Sequence, residues 1–358
     1  MTNTTTRDPL TASVIGGGTG GRLSLQALTR SAHFRLVAAA DLRPDVLVGL
    51  ERDYPGLRTF TDYREMFATC PTDVVCVSTY PPSHEPIALD ALTLPLKGIL
   101  VEKPLGHTAA SGGRILDAIK STGIPMAVPH GLLAKKTPLE IIARVQGGEI
   151  GDLKLVEIQC RGWDIINAGI HWLDFVVTLT RNEPVASVVA LCDASTRTYR
   201  DGMQVETVAV TSVQTRGGMR VVMHTGDEIV VNRPDKETLF HLVGTGGQIE
   251  FCGWENGYTL LNAAHPAGTT VVPEEFPVIG HQRHLEQLAA MIDQGAVDYT
   301  IAEGSLLALE VCEAAYLSSR HRCQVTFPLK GFTPPPPSDW DPGLPYAGVG
   351  GGRDGRAL

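Results

Sequence analysis

The alternation of apolar and polar positions changes character about a third of the way along the chain. In the first 130 residues, short continuous apolar runs at 12–15, 36–40, Val74–Val77, Gly98–Val101 and 124–128 are separated by stretches of helical spacing. A continuous, β-branched run predicts a strand covered on both faces. The intervening stretches predict helices after Gly21 (Leu23, Leu25, Ala27, Leu28), over 44–54 with Pro44 in the first turn, over Tyr63–Thr69 behind a Thr61-Asp62 cap, over 87–94 and over Ala109–Thr122. Strands alternating with helices predict a parallel sheet closed by right-handed crossovers.

The second half reads differently. A helix at 135–147 leads into a strand at 153–160, and Ile166, Ile170, Leu173 and Val177 recur at helical spacing within 163–180. The period then becomes two, predicting strands at 187–191, 205–213, 220–225, 239–243, 248–251 and 258–261 with short turns between them. Such a run builds a large, open, mostly antiparallel sheet. Its apolar face must be covered by the early helix, the first domain or another subunit. Helices at 281–293 and 302–319 and a strand at 324–327 follow. From Gly331 the chain is too rich in proline and glycine to build a core, and is expected to be disordered or laid across a neighbour. The fold class is α/β: a doubly wound parallel sheet at 11–130 after a flexible 1–10, an α+β domain at 131–330, and a tail at 331–358.

Composition narrows the class. With 358 residues, 43% hydrophobic and 19% charged, the chain can bury the cores of two domains. A formal charge of −9 with interspersed signs excludes the basic face that nucleic acid requires and gives no reason for membrane-surface binding. No apolar run approaches the ~20 residues of a membrane span, and Met1 to Asp8 is polar, unlike a signal peptide. The seven cysteines lack metal-ligand spacing, so reduced thiols in a cytoplasmic protein and no metal site are expected.

Candidate chemistry lies at the strand ends, where open α/β sheets bind ligands. Gly16, Gly18 and Gly21 fit G-x-G-x-x-G between the first strand and the first helix. There, backbone N–H groups and the helix dipole hold a diphosphate without a cationic side chain. Asp41 follows twenty residues after Gly21, where an acid bonds an adenosine ribose. Asp41 favours NAD, while Arg43 beside it leaves NADP open. Three further motifs stand in register: Ser78-Thr79-Tyr80-Pro81-Pro82-Ser83-His84, Glu102-Lys103-Pro104 and Gly169-Ile170-His171-Trp172-Leu173-Asp174. Together, over about 11–330, they resemble the Gfo/Idh/MocA oxidoreductases, the glucose–fructose oxidoreductase and inositol dehydrogenase family. The resemblance implies an N-terminal Rossmann domain and a C-terminal domain whose open sheet mediates dimer or tetramer formation. It also implies metal-free hydride transfer between a nicotinamide and a secondary carbinol of a sugar, polyol or sugar acid, and a cis bond at Lys103–Pro104.

Oxidising a carbinol needs a hydride acceptor, a base for the hydroxyl proton and a donor for the developing alkoxide. Lys103 suits the donor or relay role, and His171 the acid/base role. Asn167 lies one turn before His171 on the same face, and the resemblance places the catalytic pair at these two positions. Many relatives carry Asp where this chain has Asn167, which leaves open which group is the base. Asp164 is either the missing carboxylate or the helix N-cap, and Asp174 is read as structural. The cofactor is expected along Gly16, Gly18, Thr19, Gly20, Gly21, Arg22, Asp41, Arg43, Ser78, Thr79, Tyr80, Pro81, His84, Glu102 and Lys103. His130, Trp163 and His281 are expected at the substrate rim, with Asp164, Asn167 and His171. Two rival readings remain: redox-neutral sugar chemistry through a transient ketone, and a non-catalytic sugar- or nucleotide-sensing regulator.

Overall fold

The computed structural model describes residues 8–193 and 198–335. Six strands, β1 (Leu10–Ile15), β2 (Phe34–Ala40), β3 (Arg58–Phe60), β4 (Val74–Val77), β5 (Gly98–Val101) and β6 (Met126–Ala127), form one parallel sheet in the order β3-β2-β1-β4-β5-β6. Between them run α1 (Thr19–Arg30), α2 (Pro44–Asp53), α3 (Tyr63–Thr69), α4 (Pro81–Ala91) and α5 (Ala109–Thr122). The strand order reverses between β1 and β4, and this switch point leaves a crevice beyond their carboxyl ends. Every residue of β4 and β5 is buried, as a doubly covered strand requires.

The chain continues through α6 (Lys136–Gln146), β7 (Leu153–Arg161), a π turn (Ile165–Gly169) and α7 (Ile170–Leu179). There follow β8 (Val185–Asp193), a small hairpin of β9 (Thr198–Arg200) and β10 (Met203–Val205), then β11 (Val208–Thr215) and β12 (Arg220–Gly226). Next come β13 (Thr238–Gly244), β14 (Gly247–Phe251), β15 (Tyr258–Asn262), β16 (His265–Val271), α8 (Gly280–Gln294), α9 (Thr300–His321) and β17 (Val325–Thr326). Nine of these strands form the second sheet, ordered β16-β15-β14-β13-β7-β12-β11-β8-β17. Only β7 and β12 pair in parallel; all its other pairs are antiparallel. Its inner face, with Val156, Ile158, Val221, Met223, Phe240 and Ile249, packs on Trp172 and Phe175 of α7 and Cys312 and Ala315 of α9. On its outer face Val189, Leu191 and Val210 stay exposed.

Several elements depart from the sequence reading. Helix α4 starts at Pro81, six residues before the expected 87, because prolines in the first turn give up no helical hydrogen bond. The strand expected over 124–128 pairs only at Met126–Ala127. The helix expected from 163 begins at Ile165, and as a π turn. The β9–β10 hairpin and β16 are additional. Helix α8 returns to the first sheet, burying Leu285, Leu288 and Ala289 with Val14, Leu25 and Leu28. The far end of the tail, residues 336–358, lies outside the described residues.

Candidate active site

The crevice begins at the glycine turn. Gly16 has φ +97°, and a Cβ there would lie 2.3 Å from the Ser78 carbonyl oxygen. At Gly21 a Cβ would lie 1.8 Å from the Gly16 carbonyl oxygen, so helix and turn touch only because Gly21 lacks one. Gly18, by contrast, has nothing within 4 Å of its would-be Cβ. It is also the N-cap of α1, and no side chain caps that helix end. Two tight contacts thus hold the turn around one open backbone position at a helix N-terminus, the shape a diphosphate requires. Asp41, at the end of β2, accepts the Gly17 N–H at 2.7 Å through Oδ2 and the Arg43 N–H at 2.9 Å through Oδ1. The Arg43 guanidinium also pairs with Asp41, at 3.3 Å.

Beneath the turn lies Glu102, whose side chain is 3.2 Å from the Gly20 Cβ position. Its Oε1 accepts a 2.5 Å hydrogen bond from Nε2 of His281, at the start of α8, and its Oε2 accepts the Lys103 N–H. Burial pushes the Glu102 carboxyl up, but the His281 imidazole and the Lys103 ammonium outweigh it and leave it below the usual range. The Lys103–Pro104 bond is cis. Lys103 Nζ crosses to the second half of the chain and donates to the backbone carbonyl of Asn167 at 2.9 Å. That carbonyl belongs to the π turn, in which Ala168 N and Gly169 N both donate to Asp164 O, at 3.3 and 3.1 Å. His171 stands just beyond, in the first turn of α7. Burial first, then the Lys103 charge, holds its imidazole well below the usual histidine range. Its Nδ1 is buried without a hydrogen-bond partner. An amine from one sheet and a neutral imidazole from the other half of the chain therefore share one site.

With this geometry in view, residues 10–130 match the oxidoreductase family GFO_IDH_MocA, described as having an NAD-binding Rossmann fold. Over that third of the chain the match is to the Gfo/Idh/MocA oxidoreductases. Among curated proteins, the chain is 28% identical over 169 residues to an uncharacterized oxidoreductase of Bacillus subtilis, YfiI, covering 42% of this chain and 41% of that one. It is 32% identical over 111 residues to inositol 2-dehydrogenase of Burkholderia multivorans, covering 30% of this chain and 33% of the relative. The matches thus span about two fifths or less of those relatives. Among solved structures, levoglucosan dehydrogenase in complex with NADH and levoglucosan superimposes with a TM-score of 0.74 at 18% identity. That match covers 89% of this chain and all (100%) of the other, and it shows a shared fold for both domains.

Within this domain and its companion, some expected residues sit elsewhere than the sequence suggests. Arg22 turns along the outside of α1 to Asp53 of α2 at 3.3 Å, away from the glycine turn. His84 is fully buried, with Nδ1 3.0 Å from Pro104 O and Nε2 2.9 Å from Thr79 O; it braces two strand-end loops instead of bordering a ligand. Ser78 meets Ser24 through the two hydroxyls at 3.1 Å, and Ser83 donates to the Thr79 hydroxyl at 2.8 Å, so both support the turn from behind. Thr19 and Tyr80 are exposed, and Pro81 is buried. His130, expected at the rim, is fully buried, donating or accepting at 2.8 Å with the Ser305 hydroxyl, its ring edge-on to His171 at 5.2 Å. Asp174 lies 3.6 Å from the other His130 nitrogen, beyond hydrogen-bond reach, and burial pushes its carboxyl well up. His281, also expected at the rim, is the partner of Glu102.

The largest departure concerns Asn167. Its side-chain Nδ2 donates to both oxygens of Asp164, at 3.0 Å each, and its Oδ1 is buried with no partner. The π turn winds more loosely than an α-helix, so the side chain of Asn167 joins Asp164 while its carbonyl meets Lys103. Asp164 caps the turn by accepting Asn167 N at 2.8 Å, and Arg200 of the hairpin pairs with it at 3.2 Å. Trp163 stacks on that same arginine, 5.5 Å from its guanidinium carbon. Four participants escaped the sequence reading: Arg200; Glu206, whose carboxylate accepts the Ile165 N–H at 2.7 Å; Ser305; and Trp254, whose ring lies 5.6 Å from that of His171. None belongs to a motif, and isolated residues on a short hairpin, in turns or on a long helix carry no spacing signal.

Proposed function

We propose that this chain is an NAD-dependent dehydrogenase of the secondary carbinol of a sugar or polyol. The observation that carries the reading is Lys103 Nζ reaching the Asn167 carbonyl, which sets an ammonium beside the neutral imidazole of His171. NAD, held along the Gly16–Gly21 turn and Asp41, supplies the hydride acceptor when bound. Lys103 uses one N–H on the Asn167 carbonyl and has two others to offer the substrate oxygen, favouring the alkoxide as it develops. His171, kept unprotonated by burial and by Lys103, is the base for the hydroxyl proton. Asn167 positions the amine through its backbone instead of polarising the histidine. This suits an amide at that position, since a carbonyl is present whatever the side chain. The Asp41 carboxylate repels a 2′-phosphate and supports NAD over NADP, with Arg43 already committed to that carboxylate. Inositol and levoglucosan, named with two proteins this chain resembles, support a sugar or polyol as substrate. The exposed apolar residues of the second sheet support a homo-oligomer.

The test is a panel of inositols, aldoses, anhydrosugars and aldonates with NAD and with NADP, followed by NADH absorbance. Accumulation of NADH that Lys103→Ala abolishes is the expected result. Consumption of a sugar without net NADH would replace this reading by redox-neutral chemistry. Tight cofactor binding with no turnover of any carbinol would point to the regulator.

A further inference from the structure

We propose that the indole of Trp254 is the wall on which the apolar face of a ring-shaped substrate stacks, so that this site selects cyclic sugars and cyclitols over open-chain polyols. The inference rests on the dehydrogenase reading above and names its substrate class.

Trp254 lies in the turn between β14 and β15. Its ring packs on Trp172 (centroids 5.1 Å) and on His171 (5.6 Å, interplanar angle 78°), yet 43% of the residue remains exposed. A half-open indole is the kind of apolar surface a folded chain would ordinarily bury, and here it adjoins the imidazole proposed as the base. The surrounding residues hold it firmly. Lys135 Nζ donates to the Trp254 carbonyl at 2.6 Å, Lys236 pairs with neighbouring Glu255 at 2.8 Å, and Thr137 donates to the Asn256 side chain at 2.7 Å. The ring edge lies directly on Gly131, where a Cβ would stand 2.7 Å from indole Cζ3, so any other residue at 131 would displace it. A pinned aromatic surface loses little entropy when a ligand covers it.

A pyranose or cyclitol ring is polar at its rim and apolar across a face of C–H bonds. Stacking that face on the indole removes apolar area from water while leaving rim hydroxyls for Lys103 and His171. An open-chain alditol presents no continuous flat face, so it loses this contact while keeping the polar ones.

The experiment uses the full chain saturated with NAD and follows myo-inositol, D-glucose and levoglucosan as cyclic probes and D-sorbitol as the open-chain probe. Trp254→Leu is expected to raise KM at least ten-fold for the cyclic probes, with kcat within about three-fold. Trp254→Phe should restore most of the loss, and the sorbitol parameters and NADH affinity by fluorescence should stay unchanged. If the wild type oxidises a cyclic probe and Trp254→Leu leaves its KM unchanged, or lowers kcat alone, the stacking role is overturned while the dehydrogenase reading stands. If the wild type oxidises no cyclic probe, the stacking role is overturned; if no carbinol of the wider panel is oxidised either, the dehydrogenase reading falls with it. Should circular dichroism show Trp254→Leu unfolded, the Trp254→Phe and Trp254→Met pair gives the same comparison.

Discussion

At the scale of single residues, Lys103 and His171 are unequal partners. Lys103 is a donor already aimed by the Asn167 carbonyl, so Lys103→Met should lower kcat by roughly 10²–10³ while NADH titrations show the cofactor still binding. His171 must be unprotonated to act as base, and burial together with Lys103 depresses its pKa. The acid limb of kcat/KM for oxidation should therefore fall below the ordinary histidine value of about 6.5. In Lys103→Met the limb should move up, because a like charge has been removed. A pH–rate profile of both enzymes checks the sign. The sequence singled out both residues because they sit in motifs of fixed spacing, and the structure brings them near one another. Trp254, Arg200, Glu206 and Ser305 were not, since each comes to the site through a fold contact with residues far away in the chain.

At the scale of elements, the glycine turn separates two roles that G-x-G-x-x-G merges. Gly18→Ala puts its methyl into open space, so the free protein should melt within a degree or two of wild type and yet bind NADH at least ten-fold more weakly. Gly21→Ala drives the methyl into the Gly16 carbonyl and should lower the melting temperature as well as the affinity. Calorimetry alongside fluorescence titration distinguishes them. The buried strands Val74–Val77 and Gly98–Val101 were readable to the residue, since a doubly covered strand has no polar face to blur its ends. Strand β16 was not: it is an edge strand, largely exposed, and it contains Pro266 and Gly268, which read as turn residues. The π turn was hidden for another reason. One extra residue in a helical turn scarcely disturbs the apolar spacing, yet it decides which part of Asn167 meets Lys103.

At the scale of the molecule, the nine-stranded sheet covers one face with α7 and α9 and leaves Val189, Leu191 and Val210 on the other. If that face joins subunits, Leu191→Lys with Val210→Lys should reduce the mass seen by size-exclusion chromatography with light scattering while leaving the fold intact by circular dichroism. Between the two sheets the chain buries several uncharged histidines. Burial lowers His84, His130 and His171, and it lowers His284 to about 4, even though His284 donates to the His130 carbonyl at 3.0 Å. A folded pKa below the unfolded one means that the native state binds fewer protons. The stability that His284 contributes is therefore full above about pH 6.5 and is lost as pH drops from there toward 4, by about 1.4 kcal/mol per unit, and the other three histidines act in the same direction. Melting temperatures measured from pH 8 to pH 4.5 should show the loss beginning near 6.5, above the range of ordinary exposed carboxylates, while the raised carboxyl of Asp174 acts in the opposite sense.

The order of local patterns along the chain was sufficient for the two sheets and the glycine turn, and it singled out the lysine and histidine of the candidate site, because period, turn chemistry and motif spacing are properties of neighbouring residues. Only the tertiary structure decided that the Asn167 carbonyl holds Lys103, that His281 sits on Glu102, that His84 and His130 are buried braces, and that Trp254 stands open beside His171. Those contacts join residues tens to hundreds of positions apart. They exist only once the packing of α7, α8 and the β14–β15 turn against the first sheet has set the distances between them.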